Sequence, residues 1–406
     1  MIKYAEIKGL PSYENRIIKL HFNSDINIIT GINGQGKTTL LRLIWYVYSG
    51  NLLKAIDEIE FDYIKLETES HKFDLIKSTP EKMAQLDKDD GHTGYDIKII
   101  DTSDNSIVID TISPETELKS IHYCSQVVSQ LNEKSLYFPT FRRIEGFPSK
   151  LPPRQHPFER ENEETLLSDT MKKISSRLSI RGHKYITSVS TKDINELITN
   201  KYAEISEEIN KTYKSLTDDI ESVINSKNEN STIQDFSEQL DSIKQILNNN
   251  KDIRTDAFKP IDAISKIVNE VFKRKGVKIS STINLGEQKQ IIDSNFLSAG
   301  EKQMLSFIAY NALYTHVPMI IDEPEISLHV DWQRKLLKIL RRQNTNNQLI
   351  IATHSPFIYS KYSDKEIIKN FEEESISDDF KNIDLEVPID IKDFLKSITN
   401  EDNRGL

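Results

Sequence analysis

The feature that most constrains this chain is an eight-residue run near its start, Gly31 to Thr38, reading GINGQGKT. It fits the pattern G-x-x-x-x-G-K-[ST]. An apolar segment at 26–30 precedes it, and residues 38–48 follow with apolar side chains at helical spacing (Leu40, Leu41, Ile44, Val47). A strand, a glycine-rich turn and a helix in that order form a phosphate cradle. Glycines let backbone N–H groups turn inward, and the helix N-terminus adds partial positive charge. Asn33, Gly34, Gln35, Gly36, Lys37, Thr38 and Thr39 are therefore expected to line a nucleotide site. Lys37 would reach the terminal phosphates and the Thr38 hydroxyl would ligate Mg²⁺.

The chain has 406 residues, enough for a large α/β domain with an insertion. Strand-like segments are expected at 3–8, 16–22, 26–30, 63–68, 72–77, 95–100 and 106–112, with a polar loop at 79–94. Residues 155–275 change character. Ile194, Ile198, Tyr202, Ile205, Ile209, Leu216, Ile220 and Val223 step mostly by three or four. After a polar stretch at 225–232, Phe236, Leu240, Ile243 and Leu247 continue the rhythm. This predicts long helices joined by an exposed turn, either with a coiled-coil seam or as an ordinary helical subdomain. Strands return at 277–283 and 288–292, then helix 300–315, strand 319–322, helix 330–342 and strand 349–353, an alternation that predicts a parallel sheet.

That second half carries three further motifs. The strand Met319-Ile-Ile-Asp322 ends in a carboxylate and is followed by Glu323. Such a strand presents Asp322 at its C-terminal edge, to hold the hydration shell of Mg²⁺, and places Glu323 to polarise a water. LSAGEKQ, 297–303, opens a helix with Ser298 as its N-cap, Gly300 permitting close backbone approach, and Glu301 three residues after the cap. His354 follows the apolar run Leu349-Ile-Ile-Ala and should emerge at the same sheet edge.

In that order, these motifs resemble the ABC-type ATPases: P-loop, LSxGE signature, Walker B Asp-Glu and switch histidine. The resemblance covers roughly 1–150 and 277–370. It implies an α/β fold, an ABC-type P-loop ATPase head with a mixed sheet, interrupted by a long helical, coiled-coil-like insertion. The implied organisation is an N-terminal half-head (1–150), the insertion (151–276), a C-terminal half-head (277–370) and an acidic tail (371–406). It also implies ATP and Mg²⁺ as ligands, with Lys37, Glu323 and His354 as catalytic residues and Thr38 and Asp322 as metal-associated ones. In the family, the signature helix of one subunit closes on the ATP of another. Ser298, Gly300 and Glu301 would therefore act across a homodimer, or within a higher oligomer.

DEPEISLH, 322–329, is similar to a stretch of the overcoming-lysogenization-defect, RecF and SMC-like branch, although the proline usual after Leu-His is Val330 here. LYFPTFRRIE, 136–145, resembles ATPase subunits of Septu and retron-linked antiphage systems. That resemblance implies a regulatory ATPase with a separate effector, an HNH or Toprim nuclease or a toxin. A DNA-repair or DNA-structure ATPase of RecF or SMC type is the alternative. No clear Q-loop glutamine is visible; Gln126, Gln130, Arg142 and Arg143 are the candidates. The residues after His354 lack the Glu…Asp-x-Asp pattern of a two-metal nuclease, so nuclease work is expected of a partner.

A net charge of −10 argues against indiscriminate wrapping of nucleic acid. Local basic groups still suit phosphate contacts: Lys172, Lys173, Arg177, Arg181 and Lys184, then residues 273–275, then Arg334, Lys338, Arg341 and Arg342. No apolar run reaches membrane-spanning length and no secretory signal is seen, so a cytoplasmic location without membrane contact is expected. The single Cys124 fits a small core residue.

Overall fold

The structure, a computed structural model, describes residues 1–13, 16–32, 34–78, 94–111, 120–132, 134–140, 143–144, 170–171, 173–189, 191–225, 240–241, 243–245, 253–272 and 297–368. The strands expected at 277–283 and 288–292, the loop at 79–93 and the acidic tail lie outside these residues.

Parallel and antiparallel strands are both present, sorted into separate sheets. The first is antiparallel throughout. Its strands are β1 (Ile2–Lys8), β2 (Ile18–His21), β4 (Tyr63–Thr68), β5 (His71–Lys77), β6 (Tyr95–Asp101) and β7 (Ile107–Asp110), in the order β2-β1-β4-β5-β6-β7. Alternating burial along β1 and β5 is what a sheet covered on one face produces.

The second sheet is parallel and runs β10-β8-β12-β13-β3-β14. Here β3 is Ile26–Ile29, β8 Ser135–Phe138, β10 His183–Tyr185, β12 Pro318–Asp322, β13 Gln348–Ala352 and β14 Glu366–Ile368. Every residue of β3, β8, β12 and β13 is buried, as expected of strands covered on both faces. A short parallel pair, β9 (Arg143–Ile144) with β11 (Ser188–Val189), stands apart.

Helix α1 (Lys37–Ser49) touches β4 of the first sheet and β12 and β13 of the second. The sequence marks one apolar face, yet Leu43, Trp45, Tyr46 and Tyr48 are buried as well. A helix lying between two sheets keeps little solvent face, here Thr38, Thr39 and Arg42. Helix α2 (Leu52–Glu58) and helix α3 (Ile121–Leu131) complete this side, and Cys124 is fully buried among their apolar residues. Gln126 and Gln130 lie on α3, ahead of β8, while Arg142 falls outside the described residues.

On the other side, α4 (Thr191–Asn225, 35 residues) and α5 (Ile253–Val271, 19 residues) pack on each other and on α6 (Ala299–Leu313). At about 1.5 Å per residue, α4 is roughly 50 Å long. Ile194 and Ile198 sit in the core with Ile264, Val268 and Phe272, and the Tyr202 and Phe258 rings meet at 4.9 Å. Beyond Ile209 the apolar positions Leu216 and Ile220 are only partly covered. The single helix expected at 330–342 is two, α7 (Val330–Gln333) and α8 (Leu336–Arg341). Lys335 N–H bonds to Trp332 O, three residues back, and this tighter turn interrupts the α-helix. A last short helix, α9 (Pro356–Tyr359), follows β13.

Candidate active site

Strand register builds the site. Ile29 of β3 lies opposite Ala352 of β13, Ala352 opposite Asp322 of β12, and Ile321 opposite Phe138 of β8. Four parallel strands thus end along one edge, and the residues following each meet there: Gly31 to Lys37, Thr353 and His354, Glu323, and Thr140. The crevice beyond the C-terminal ends of parallel strands is where such folds place ligands.

The loop from Gly31 runs through three glycines of positive φ, Gly31 (147°), Gly34 (87°) and Gly36 (78°), before α1 begins. Gly36 caps α1 without a side-chain hydrogen bond, so the first-turn amides are left for an anion. Lys37 is 5% exposed, and its Nζ donates to Gly31 O (2.7 Å) and Ile32 O (2.8 Å). Burial lowers its pKa, against the opposing pull of Glu323, Asp322 and Glu325. Its ammonium therefore lies within the field of the carboxylates at the neighbouring strand ends.

Asp322 is fully buried, and the Thr140 hydroxyl donates to its Oδ2. The sequence shows Thr140 only as part of the family-like stretch 136–145; its contact with Asp322, 182 positions away, arises through the β8–β12 register. With phosphate oxygens, the Thr38 hydroxyl and the Asp322 carboxylate would supply the hard oxygen donors that Mg²⁺ prefers. The residues present fit that ion, with Thr38 and Asp322 as the protein's share.

Glu323 has φ 46° and ψ 63°, a left-handed conformation that is uncommon outside glycine. Its N–H bonds to Ala352 O at 2.9 Å, so the strained turn comes directly off the sheet ladder. Burial, then Asp322 and Glu325, raise its pKa, while His354 and Lys37 lower it. The net upward direction suits a group that must take a proton from water. His354 Nδ1 lies 3.9 Å from Glu323 Oε1 and 3.1 Å from Glu325 Oε1. Glu325, seen in the sequence only as part of a family-like stretch, proves to be buried and bonded to three consecutive residues, Thr353, His354 and Ser355.

The expected N-cap at Ser298 is present as a full capping box. Its side chain accepts from Glu301 N–H, and Glu301 Oε2 accepts from Ser298 N–H. Gly300 does meet a backbone closely, but within its own chain. A Cβ there would sit 2.3 Å from Ser327 O, on the 3-10 turn after Glu323. Gln303 adds a bond to Pro324 O at 3.1 Å. Helix α6 is thereby held to the segment that carries Glu323 and Glu325. Asn33 lies outside the described residues; Gly34, Gln35, Thr38 and Thr39 lie along the loop and the first turn of α1.

Among solved structures, the chain is similar to an Smc head domain with an extended coiled coil, bound to the C-terminal domain of ScpA, from Pyrococcus furiosus. Identity is 13%, coverage is 88% of this chain and 91% of that one, and the TM-score is 0.37. It is also similar to an Smc head bound to the C-terminal winged-helix domain of ScpA, at 12% identity, the same coverages and a TM-score of 0.39. No curated protein matches. The AAA ATPase domain family AAA_15 matches residues 1–359, and the chain belongs to that family.

Proposed function

We propose that this protein is an ATP-hydrolysing regulatory subunit, working as a dimer or higher oligomer, whose nucleotide cycle controls a partner nuclease or toxin in a bacterial antiphage system. The observation that carries the hydrolytic reading is the Glu323–His354 pair at the sheet edge. It stands beside Asp322 and Lys37, and the Glu323 carboxyl titrates above its ordinary range. Lys37 and the α1 amides would hold the phosphates, and Thr38 and Asp322 the Mg²⁺. Glu323 would accept the proton of the attacking water, with His354 alongside.

Two features support regulation. Helices α4 and α5 rest on α6, so a movement of the signature helix on closure has a long lever to act upon. Ser298 is exposed at the start of that helix, where a second copy can reach it. The antiphage setting rests on the resemblance of residues 136–145, whereas 322–329 resembles a branch that includes the RecF and SMC-like alternative. Part of the basic side considered for DNA is already engaged, since Arg334 lies over the Phe357 ring (4.9 Å) and Arg342 pairs with Glu270 (3.3 Å). Both contacts are exposed, and surface pairs of this kind are weak, so they leave the RecF or SMC-like alternative open.

The reading is tested with Glu323→Gln and Ser298→Arg. Glu323→Gln should bind ATP, turn over on the order of 100-fold more slowly, and accumulate as ATP-dependent dimers in light scattering. Ser298→Arg should bind ATP as a monomer without hydrolysing it. Wild-type turnover in Glu323→Gln removes the proposed base, and wild-type turnover in Ser298→Arg removes the shared site. In cells carrying the neighbouring genes, loss of phage protection with Lys37→Ala would support defence. Unchanged protection together with salt-sensitive DNA binding would favour the DNA reading.

A further inference from the structure

Glu325 is a carboxylate that the hydrolytic pair does not by itself require. Its side chain is 5% exposed. One oxygen, Oε1, accepts from Thr353 Oγ1 (2.8 Å), His354 N–H (2.8 Å) and Ser355 N–H (3.2 Å), and lies 3.1 Å from His354 Nδ1. The other, Oε2, is buried with no hydrogen-bond partner among the described residues. The hydroxyl and the two amides need only an acceptor, which a neutral glutamine would supply. Burying a charge is far more costly than burying an amide unless the charge is paired. Of the groups at Oε1, only the imidazole can match a charge.

The mounting is stiff on both sides. Pro324 O is held by Gln303 of α6. Gln333 Nε2 donates to Leu328 O (2.7 Å), while its Oε1 accepts from Ser355 Oγ (2.6 Å). The turn carrying Glu325 is thus held to α6, and Gln333 bridges it to the loop carrying His354. A carboxylate at ion-pair distance favours a proton on Nδ1, which leaves Nε2 as the ring nitrogen for other partners.

We infer that Glu325 is a positioning residue for His354, a buried anionic acceptor that sets the imidazole's orientation and protonated nitrogen beside Glu323. The inference rests on the reading of Glu323 and His354 as the hydrolytic pair. The charge of Glu325 also contributes to the raised pKa of Glu323, after burial and Asp322.

The test compares wild type, Glu325→Gln, His354→Ala and the double variant in steady-state ATP hydrolysis, with ATP affinity measured separately. Glutamine keeps an acceptor for Thr353 and the two amides, so folding should survive. Turnover in Glu325→Gln should fall about 10- to 100-fold, an effect typical of groups that orient a reacting side chain, with ATP affinity held. In the His354→Ala background the same change should add nothing, because Glu325 acts through the imidazole. Multiplied losses in the double variant, or wild-type turnover in Glu325→Gln, overturn the inference. Should His354→Ala be too slow to measure, the ring-nitrogen NMR signals of His354 decide, and signals unmoved by Glu325→Gln overturn it. Glu323→Gln serves as the control. Its retained activity would sink the hydrolytic reading itself, whereas an inactive Glu323→Gln with multiplied losses sinks only the role of Glu325.

Discussion

Two helices in this molecule begin where the sequence expects an anion, and they begin differently. Helix α1 starts from Gly36, at φ 78°, with no side-chain cap. Helix α6 starts from Ser298 with a closed capping box. The amides of α1 have no competing side-chain acceptor and face a loop turned inward by glycines. In α6, Glu301 N–H is already bonded to Ser298 Oγ, but at 3.4 Å, the long end of the range. A bond that weak can be exchanged for a better acceptor at little cost. The difference assigns labour: α1 should dominate ATP affinity, and α6 should act at closure and turnover.

The sharpest way to break this comparison is Gly36→Ala. Alanine in a left-handed conformation costs about 1–2 kcal/mol. Its Cβ would also meet Ser12 Cβ at 2.7 Å and the Tyr13 ring at 3.1 Å. Overpacking of that kind typically adds about 1–3 kcal/mol. Together these predict a loss of ATP affinity of roughly 100-fold, since each 1.4 kcal/mol is about tenfold. Titration with a fluorescent nucleotide checks it, and near-wild-type affinity would show that the loop is not the main anchor.

What the sequence could and could not reveal follows the same division. The phosphate loop, the Asp322–Glu323 strand end and the Ser298 cap are contiguous runs whose chemistry is local, and the structure places each at the start or end of the expected element. Thr140 beside Asp322, and Glu325 beneath His354, depend on which strand lies next to which, and no local pattern encodes that. Periodicity revealed α4, because a helix that buries one stripe must repeat it; of the second expected run, 236–247, most lies outside the described residues, and α5 lies beyond it. It could not reveal that α1 is enclosed by two sheets, nor that a single i→i−3 bond at Lys335 splits one helix into α7 and α8. The close approach at Gly300 was legible as a glycine where a side chain would not fit, but that Ser327 is the backbone it meets was not.

Gly300→Ala turns that contact into a measurement. Alanine is the better helix former by about 0.5–1 kcal/mol, which alone would stabilise α6. Against this, a Cβ 2.3 Å from Ser327 O forces a backbone shift, for which about 1–3 kcal/mol is typical. The second effect is larger, so a net destabilisation of about 1–2 kcal/mol is expected in chemical denaturation. Because Ser327 ends the turn that carries Glu325, turnover should fall as well, with ATP affinity unchanged. A stabilised variant would mean that α6 moves freely against that turn.

The smallest effect separates the cap from the ligand contact. Ser298→Ala removes the side-chain acceptor for Glu301 N–H and opens the capping box, a loss of about 1 kcal/mol in folding stability. Its length makes this bond a weak member of its class, so the lower part of that range is expected. Were the serine only a cap, Ser298→Asp, also a good N-cap, would restore both stability and turnover. If instead Ser298 faces phosphate across the dimer, aspartate would restore stability yet abolish hydrolysis, because it sets a negative charge against another. Melting temperature and ATPase rate measured on the same two variants therefore distinguish a capped helix from a shared site. Recovery of both quantities in Ser298→Asp would leave α6 without a role at the nucleotide.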